Sequence, residues 1–106
     1  MPLSQHLQIN GQRLNQRLQD LAHFGQIANG GVSRLAFSQE DFQGRNQVQQ
    51  WMHEAGLETR LDTAGNLIGR LPGKLVGPAL ATGSHIDTVP GGGKFDGVLG
   101  VLAGIE

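Results

Sequence analysis

The sequence predicts an α/β fold built from two helices, a β-hairpin, a buried strand and the start of a buried helix. Three observations predict it. Apolar residues recur at helical spacing in two stretches of the first half, they alternate with polar residues in a short stretch after them, and they form a nearly unbroken run at the end. The 106 residues have room for one small domain or part of one.

The two helices are delimited by capping residues. The first is predicted over residues 11–24, with Asn10 as its N-cap and Gly25 as its terminator, because apolar side chains follow a 3.6-residue period within it. The second is predicted to start at Ser38, which is followed by two acidic residues in the first turn. Gly56 followed by a leucine has the form of a glycine C-cap and ends this helix.

Strands are predicted after the second helix. Residues 57–62 alternate between apolar or β-branched and charged side chains, a turn follows at residues 63–66, and residues 67–71 can return beside the first strand as a hairpin. After a loop, residues 79–83 are short, small and apolar, which is typical of a buried strand. His85 is expected at the carboxyl end of that strand, where ligands bind in open α/β sheets.

The run from Val98 to Ile105 is apolar on nearly all sides, so a helix formed by it should be buried on most of its surface. Little in the preceding residues could cover it. We therefore expect residues 1–106 to be the N-terminal portion of a longer chain.

Composition excludes several classes of protein. Eight basic residues against nine acidic ones leave a net charge of −1, which favours neither nucleic acid nor anionic membranes as partners. The absence of cysteine excludes disulfides, a thiol nucleophile and cysteine-bound zinc. The N-terminus lacks the pattern of a signal peptide, and no apolar stretch is long enough to cross a bilayer, so the expected location is cytoplasmic.

One histidine and two carboxylates stand in the glycine-rich stretch that precedes the last apolar run. His85 and Asp87 alternate along an extended segment, so both side chains can face the same side. Three consecutive glycines at residues 91–93 would allow the loop to bring Asp96 back towards them. Such a donor set suits a divalent metal bound by nitrogen and oxygen, and such metals support hydrolysis.

On spacing alone, a simpler interpretation is a solvated turn that begins at Asp87 and Thr88, followed by a helix cap formed by Asp96 and Gly97. Lys94 after the glycines superficially suggests phosphate binding, but the spacing of a P-loop is absent. Ser84 lacks the surroundings of a serine nucleophile. The other histidines are expected to be solvated; they are His6, His23 and His53. Trp51 is expected in the core or at an interface.

Residues 83–106 resemble the first metal-binding motif of the hydantoinase/carbamoylase family of dinuclear-metal amidohydrolases. The similarity lies in G-S-H-x-D-T-V, in the G-G-x-x-D-G that follows, and in G-V-L-x-G-x-E. Residues 30–35, 51–57 and 65–70 are also similar to that family. The eleven-residue step from His85 to Asp96 favours this branch over ordinary dipeptidases.

The resemblance implies that His85 binds one metal ion, that Asp96 bridges two, and that Asp87 serves catalysis by orienting His85. Zinc is the expected metal, with manganese, cobalt and nickel as alternatives. The implied substrate is a small acid such as an N-carbamoyl-L-amino acid, N-carbamoyl-β-alanine or allantoate, and the full-length enzyme is expected to be a homodimer. The resemblance also implies that residues 1–106 are the N-terminal portion of one metal-dependent hydrolase catalytic domain, with the dimerisation domain absent. The family's remaining ligands and its catalytic glutamate follow the segment present here, so Glu106 is not assigned a role.

Two other interpretations remain open at this point. One is an aminoacylase or peptidase of the same clan, and the other is a non-catalytic binding module. In every case the 106 residues alone are expected to be inactive, because two ligands do not complete a dinuclear site. Arg34 lies in a family-like segment, and an ion-paired loop residue is its simplest interpretation.

Overall fold

The computed structural model describes residues 7–106, which form three helices and one two-stranded sheet. In chain order these are α1 (Gly11–Ala22), α2 (Gln39–Glu54), β1 (Glu58–Leu61), β2 (Leu67–Arg70) and α3 (Val98–Ile105). The helices and the hairpin occur in the predicted order, and the predicted α/β class is confirmed. His6 lies outside the described residues.

Helix α1 begins where the sequence predicts and ends two residues early. The Asn10 side chain accepts a hydrogen bond from the Arg13 backbone N–H at 3.0 Å, as an N-cap does. The apolar residues that predicted the helix form its buried face: Leu14, Leu18, Leu21 and Ala22.

Helix α2 has the predicted caps at both ends. The Ser38 hydroxyl accepts a hydrogen bond from the Asp41 N–H at 3.2 Å. At the other end Gly56 has a φ of 85°, its N–H bonds to the His53 carbonyl, and the Leu57 N–H bonds to the Met52 carbonyl. These two bonds form a Schellman motif, which turns the chain directly into β1.

Strands β1 and β2 pair antiparallel, with Glu58 opposite Arg70 and Leu61 opposite Leu67. The connecting turn is held by Asp62, whose carboxylate accepts bonds from the Ala64 N–H, the Asn66 N–H and the Asn66 side-chain amide. These bonds lower the pKa of Asp62, the side chain and backbone of Asn66 contributing most. The predicted hairpin is confirmed.

The predicted buried strand at residues 79–83 is wrong. The segment belongs to no sheet, and the Leu80 side chain is fully exposed at 102 % of its reference area. No strand between residues 7 and 106 pairs with it, and an extended segment without a hydrogen-bonded neighbour is not a strand. One side of this stretch lies against α3, with Thr82 close to Gly104 and Ser84 close to Gly100.

Helix α3 packs against α1 and α2, and the hairpin packs against α2. Val98 and Leu102 enter the core completely, whereas Leu99 on the opposite face is 45 % exposed. The expectation of burial on most sides is therefore met on one face only. The remaining core is supplied by α1 and α2, through Leu14, Leu18, Leu21, Val48, Trp51 and Met52.

None of the helices within residues 7–106 combines the length and the apolarity that a membrane crossing requires.

Candidate metal centre

The glycine-rich loop is fixed against the segment from Val32 to Arg34. Val32 and Gly92 exchange two backbone hydrogen bonds of 2.8 and 2.9 Å, and the Gly91 N–H donates to the Ser33 hydroxyl at 2.8 Å. Ahead of the loop, the Thr88 N–H donates to the Arg34 carbonyl at 2.7 Å. The glycines therefore follow a defined path, which sets the position of the residues on either side of them.

His85 and Asp87 lie on the same side of the extended chain, as the alternation predicts. His85 Nδ1 lies 2.9 Å from the Asp87 backbone carbonyl oxygen and 3.3 Å from its Oδ1. The two side chains are 52 % and 42 % exposed, whereas Thr88 is buried and Ile86 packs against the core. A carbonyl and a carboxylate both accept hydrogen bonds, so this pair favours the tautomer with the proton on Nδ1 and leaves Nε2 as a free lone pair.

Gly97 packs closely against the far edge of the His85 ring. A Cβ at position 97 would lie 2.6 Å from His85 Nε2 and 2.5 Å from Cε1, so only glycine fits there. Its φ of 72° is also one that glycine adopts readily. Asp96 is therefore the chain neighbour of the residue that contacts Nε2.

Asp96 does not cap the last helix. Gly97 is the N-cap of α3 and no side chain bonds to that end, while Asp96 contributes its backbone carbonyl, which accepts the Val98 N–H at 2.8 Å. Of Asp96 and Gly97, the glycine is therefore the cap, and the Asp96 carboxylate makes no capping bond. Asp96 is exposed and directly precedes Gly97 in the chain.

The kinds of donor atom suit a divalent ion, but too few donor side chains cluster to hold one. A neutral imidazole nitrogen and carboxylate oxygens are donors used by zinc, manganese and cobalt. Within residues 7–106, however, no three His, Cys, Asp or Glu side chains cluster in a way that could hold a metal. The segment thus offers a partial ligand set.

A cleft of about 230 Å³ adjoins His85 and Asp87. It lies between α2, the hairpin turn and the extended segment, and its polar lining includes Asp41, Arg45 and Asn66. Arg45 stacks its guanidinium over the Phe42 ring at 4.8 Å, and its buried Nε has no hydrogen-bond partner among residues 7–106. Sequence reasoning missed these residues, because their helix and turn positions explain them without reference to a site.

His23, Trp51, His53 and Lys94 do not line this cleft. His23 and His53 are exposed on helix ends, and His53 Nε2 is hydrogen-bonded to the Thr59 hydroxyl at 2.7 Å. Trp51 is a core residue, as predicted. The Lys94 ammonium lies 5.3 Å from the centre of the Phe95 ring.

Arg34 differs from its expected role. It makes no ion pair with a carboxylate of residues 7–106; its side chain donates instead to three backbone carbonyls, those of Leu21, Phe24 and Ile86. Burial lowers its pKa, and the carboxylates of Asp41 and Asp87 partly oppose that effect. The interpretation of Arg34 as an ion-paired loop residue is therefore wrong.

No family model matches the chain. Individual proteins, however, are similar to it in sequence. Over 99 residues it is 50 % identical to an N-carbamoyl-L-amino-acid amidohydrolase of Pseudomonas sp. (strain NS671), a match that covers 92 % of this chain and 24 % of that protein. Over 84 residues it is 49 % identical to an allantoate amidohydrolase of Bacillus subtilis (strain 168), covering 78 % of this chain and 20 % of the relative.

A ureidoglycolate hydrolase of Arabidopsis thaliana is 38 % identical over 105 residues, covering 98 % of this chain and 22 % of that one. Among solved structures, a hydantoinase/carbamoylase family amidase from Burkholderia ambifaria superposes with a TM-score of 0.90 at 46 % identity, over 94 % of this chain and 25 % of its own.

The segment therefore has the sequence and the fold of amidohydrolases. Within that class it belongs to the hydantoinase/carbamoylase family, as the resemblance in residues 83–106 predicts. The chain spans about a quarter of the length of the relatives that it matches.

Proposed function

We propose that the protein to which this segment belongs hydrolyses a linear C–N bond of a small ureido or N-carbamoyl acid. Candidate substrates are an N-carbamoyl-L-amino acid, N-carbamoyl-β-alanine and allantoate. The names of the relatives support this class, since they describe hydrolases of an N-carbamoyl-L-amino acid, allantoate and ureidoglycolate. For the N-carbamoyl case, water is consumed and the amino acid, ammonia and carbon dioxide are released.

The contact between His85 Nδ1 and Asp87 is the observation that carries the proposal. Metal-bound histidines commonly donate their second ring proton to a carboxylate or a carbonyl, which fixes the ring and raises its basicity. We assign His85 and Asp96 as ligands of two divalent ions, zinc first among them, and Asp87 as the residue that orients His85. When bound, such ions polarise a carbonyl and lower the pKa of bound water.

The 106 residues alone are proposed to be inactive and to bind metal weakly, because residues 7–106 contain no cluster of three metal-binding side chains. We further propose that the whole protein is a homodimer located in the cytoplasm.

A chimera tests the proposal in a complete enzyme. The matching 99-residue stretch of the Pseudomonas amidohydrolase would be replaced by that of this chain, and the release of ammonia from N-carbamoyl-L-amino acids, N-carbamoyl-β-alanine and allantoate would be measured with zinc, manganese or cobalt added. We expect an active chimera whose turnover disappears in His85→Ala and Asp96→Asn. Asp87→Asn should reduce activity by about 10- to 100-fold.

His23→Ala is the matched control, because His23 is an exposed histidine at the C-cap of α1 and does not line the cleft beside His85. It should leave turnover unchanged. An active chimera in which His85→Ala and Asp96→Asn retain full turnover would refute the assignment of the ligands.

A further inference from the structure

Arg34 is an almost completely buried cation next to the candidate metal centre. Its relative exposure is 1 %, and it is the largest fully buried side chain of residues 7–106. Burying a charge is costly unless the charge is hydrogen-bonded. Nη1 donates to the carbonyls of Leu21 at 2.8 Å and Phe24 at 2.7 Å, which lie at the carboxyl end of α1. A cation is favourable there because the helix dipole places partial negative charge at that end.

The same guanidinium reaches the extended segment that carries the candidate ligands. Its Nε donates to the Ile86 carbonyl at 2.9 Å, and Ile86 stands between His85 and Asp87. The guanidinium therefore fixes the segment at the residue between the two members of the His85–Asp87 pair.

Backbone and hydroxyl groups form a second set of hydrogen bonds at Thr88, two residues after Ile86. The Arg34 backbone N–H donates to the Thr88 hydroxyl at 2.9 Å, and the Thr88 N–H donates back to the Arg34 carbonyl at 2.7 Å. The Thr88 hydroxyl lies 2.9 Å from the Val32 carbonyl, to which it can donate. Arg34 thus holds the segment at residues 86 and 88, on both sides of Asp87.

The surrounding fold makes room for this side chain. Gly44 stands in the middle of α2, where glycine typically destabilises a helix by about 0.5 to 1 kcal/mol relative to alanine. A Cβ at that position would lie 3.3 Å from Arg34 Cδ, which is tighter than an ordinary contact. The helix therefore has its smallest residue at the point where Arg34 crosses it.

We propose that Arg34 is a positioning residue whose guanidinium joins the end of α1 to the Ile86 carbonyl and whose backbone pairs with Thr88, and that both sets of bonds hold His85 in register with Asp87. This proposal rests on the proposed function, in which His85 binds a metal ion and Asp87 orients His85. Lysine could not replace arginine fully, because a single ammonium lacks the planar fork whose Nε and Nη1 bond in different directions.

The test measures the tautomer of His85 in the metal-free chain. At a pH where imidazole is neutral, ¹⁵N NMR of the ring distinguishes a proton on Nδ1 from one on Nε2. We expect the Nδ1–H form in the wild-type chain and a shift towards the Nε2–H form in Arg34→Met. The zinc dissociation constant at His85 should rise by about 10- to 100-fold in that variant. Arg34→Lys should recover part of both losses.

Arg17→Met is the matched control, since Arg17 pairs with Glu54 and lies over the Trp51 ring, away from the metal centre. It should lower the melting temperature and leave the His85 tautomer unchanged. If Arg34→Met does not fold, the hydrogen bonds between Thr88 and the Arg34 backbone are tested by comparing Thr88→Val with Thr88→Ser. Only the valine variant, which lacks the hydroxyl, should shift the His85 tautomer.

A folded Arg34→Met chain with the wild-type tautomer and zinc affinity would overturn the proposal, and so would an equal shift in Arg17→Met. If Arg34→Met does not fold, a Thr88→Val chain with the wild-type tautomer would overturn it. These results differ from a failure of the proposed function, which would appear as full turnover of the chimera after His85→Ala and Asp96→Asn.

Discussion

At the scale of single residues, charged side chains join parts of the chain that are far apart in sequence. Arg13 in the first turn of α1 donates to Glu106 through Nε at 2.9 Å and Nη2 at 2.6 Å, and the Asn10 N–H also donates to this carboxylate at 2.9 Å. The Glu106 side chain is only 2 % exposed. Together these bonds connect the end of α3 to the start of α1.

The Glu106 contacts predict a pH-dependent stability. The hydrogen bonds from Arg13 and Asn10 lower the pKa of Glu106 from 4.5 to about 2. A carboxyl whose pKa falls on folding stabilises the protein above its unfolded pKa, and that contribution is lost as the pH falls from 4.5 towards 2. In urea unfolding, Glu106→Gln should therefore be less stable than wild type near neutral pH, with a difference that shrinks over this acidic range.

Arg13→Met provides the control, because it removes the main cause of the lowered pKa. In the Arg13→Met background, the stability change caused by Glu106→Gln should lose most of its pH dependence. A change that stays constant from neutral to acidic pH in that background and in the wild type alike would contradict the role assigned to this pair.

The sequence was sufficient to locate His85 and Asp87 but not to explain Arg34. A two-residue alternation along an extended chain is a local property, and it correctly places the two side chains on one side. The partners of Arg34 are backbone carbonyls at residues 21, 24 and 86, and a carbonyl is present at every position of every sequence. No sequence signal could identify which of them lie together in space.

At the scale of elements, the ends of helices are where local sequence determines structure most directly. Asn10, Ser38 and Gly56 were each predicted as a cap or terminator from the residue type and its neighbours, and each has that role. The strand predicted at residues 79–83 failed, because a strand also requires a partner that local sequence does not specify.

The Schellman motif after α2 predicts a cost for a side chain at Gly56. Its φ of 85° is unfavourable for L-residues, while the space around it is open, so Gly56→Ala introduces backbone strain without a steric clash. We expect Gly56→Ala to lower the free energy of unfolding by about 1 to 2 kcal/mol. Gly11→Ala at the start of α1, also in open space, should instead raise it slightly, since alanine favours helices. Equal effects in the two urea-unfolding experiments would contradict this account.

At the scale of the whole molecule, one core formed by α1, α2 and α3 supports the loop that carries the proposed metal ligands. Helix α3 buries Val98 and Leu102 in that core, and Gly97 at its start contacts the His85 ring. The hydrophobic pattern predicted the helices. The approach of Gly97 to His85 arises from tertiary packing, which the pattern does not encode.

The most direct test of the central claim is a zinc titration of this chain, followed by NMR of the histidine ring nitrogens and of the aspartate carboxyl carbons. The account predicts that Nε2 of His85 and the carboxyl carbon of Asp96 shift together, while Nδ1 of His85 keeps its proton and the rings of His23 and His53 do not respond. Zinc-induced shifts at His23 or His53 alone, or at Nδ1 of His85 with Asp96 unchanged, would contradict it.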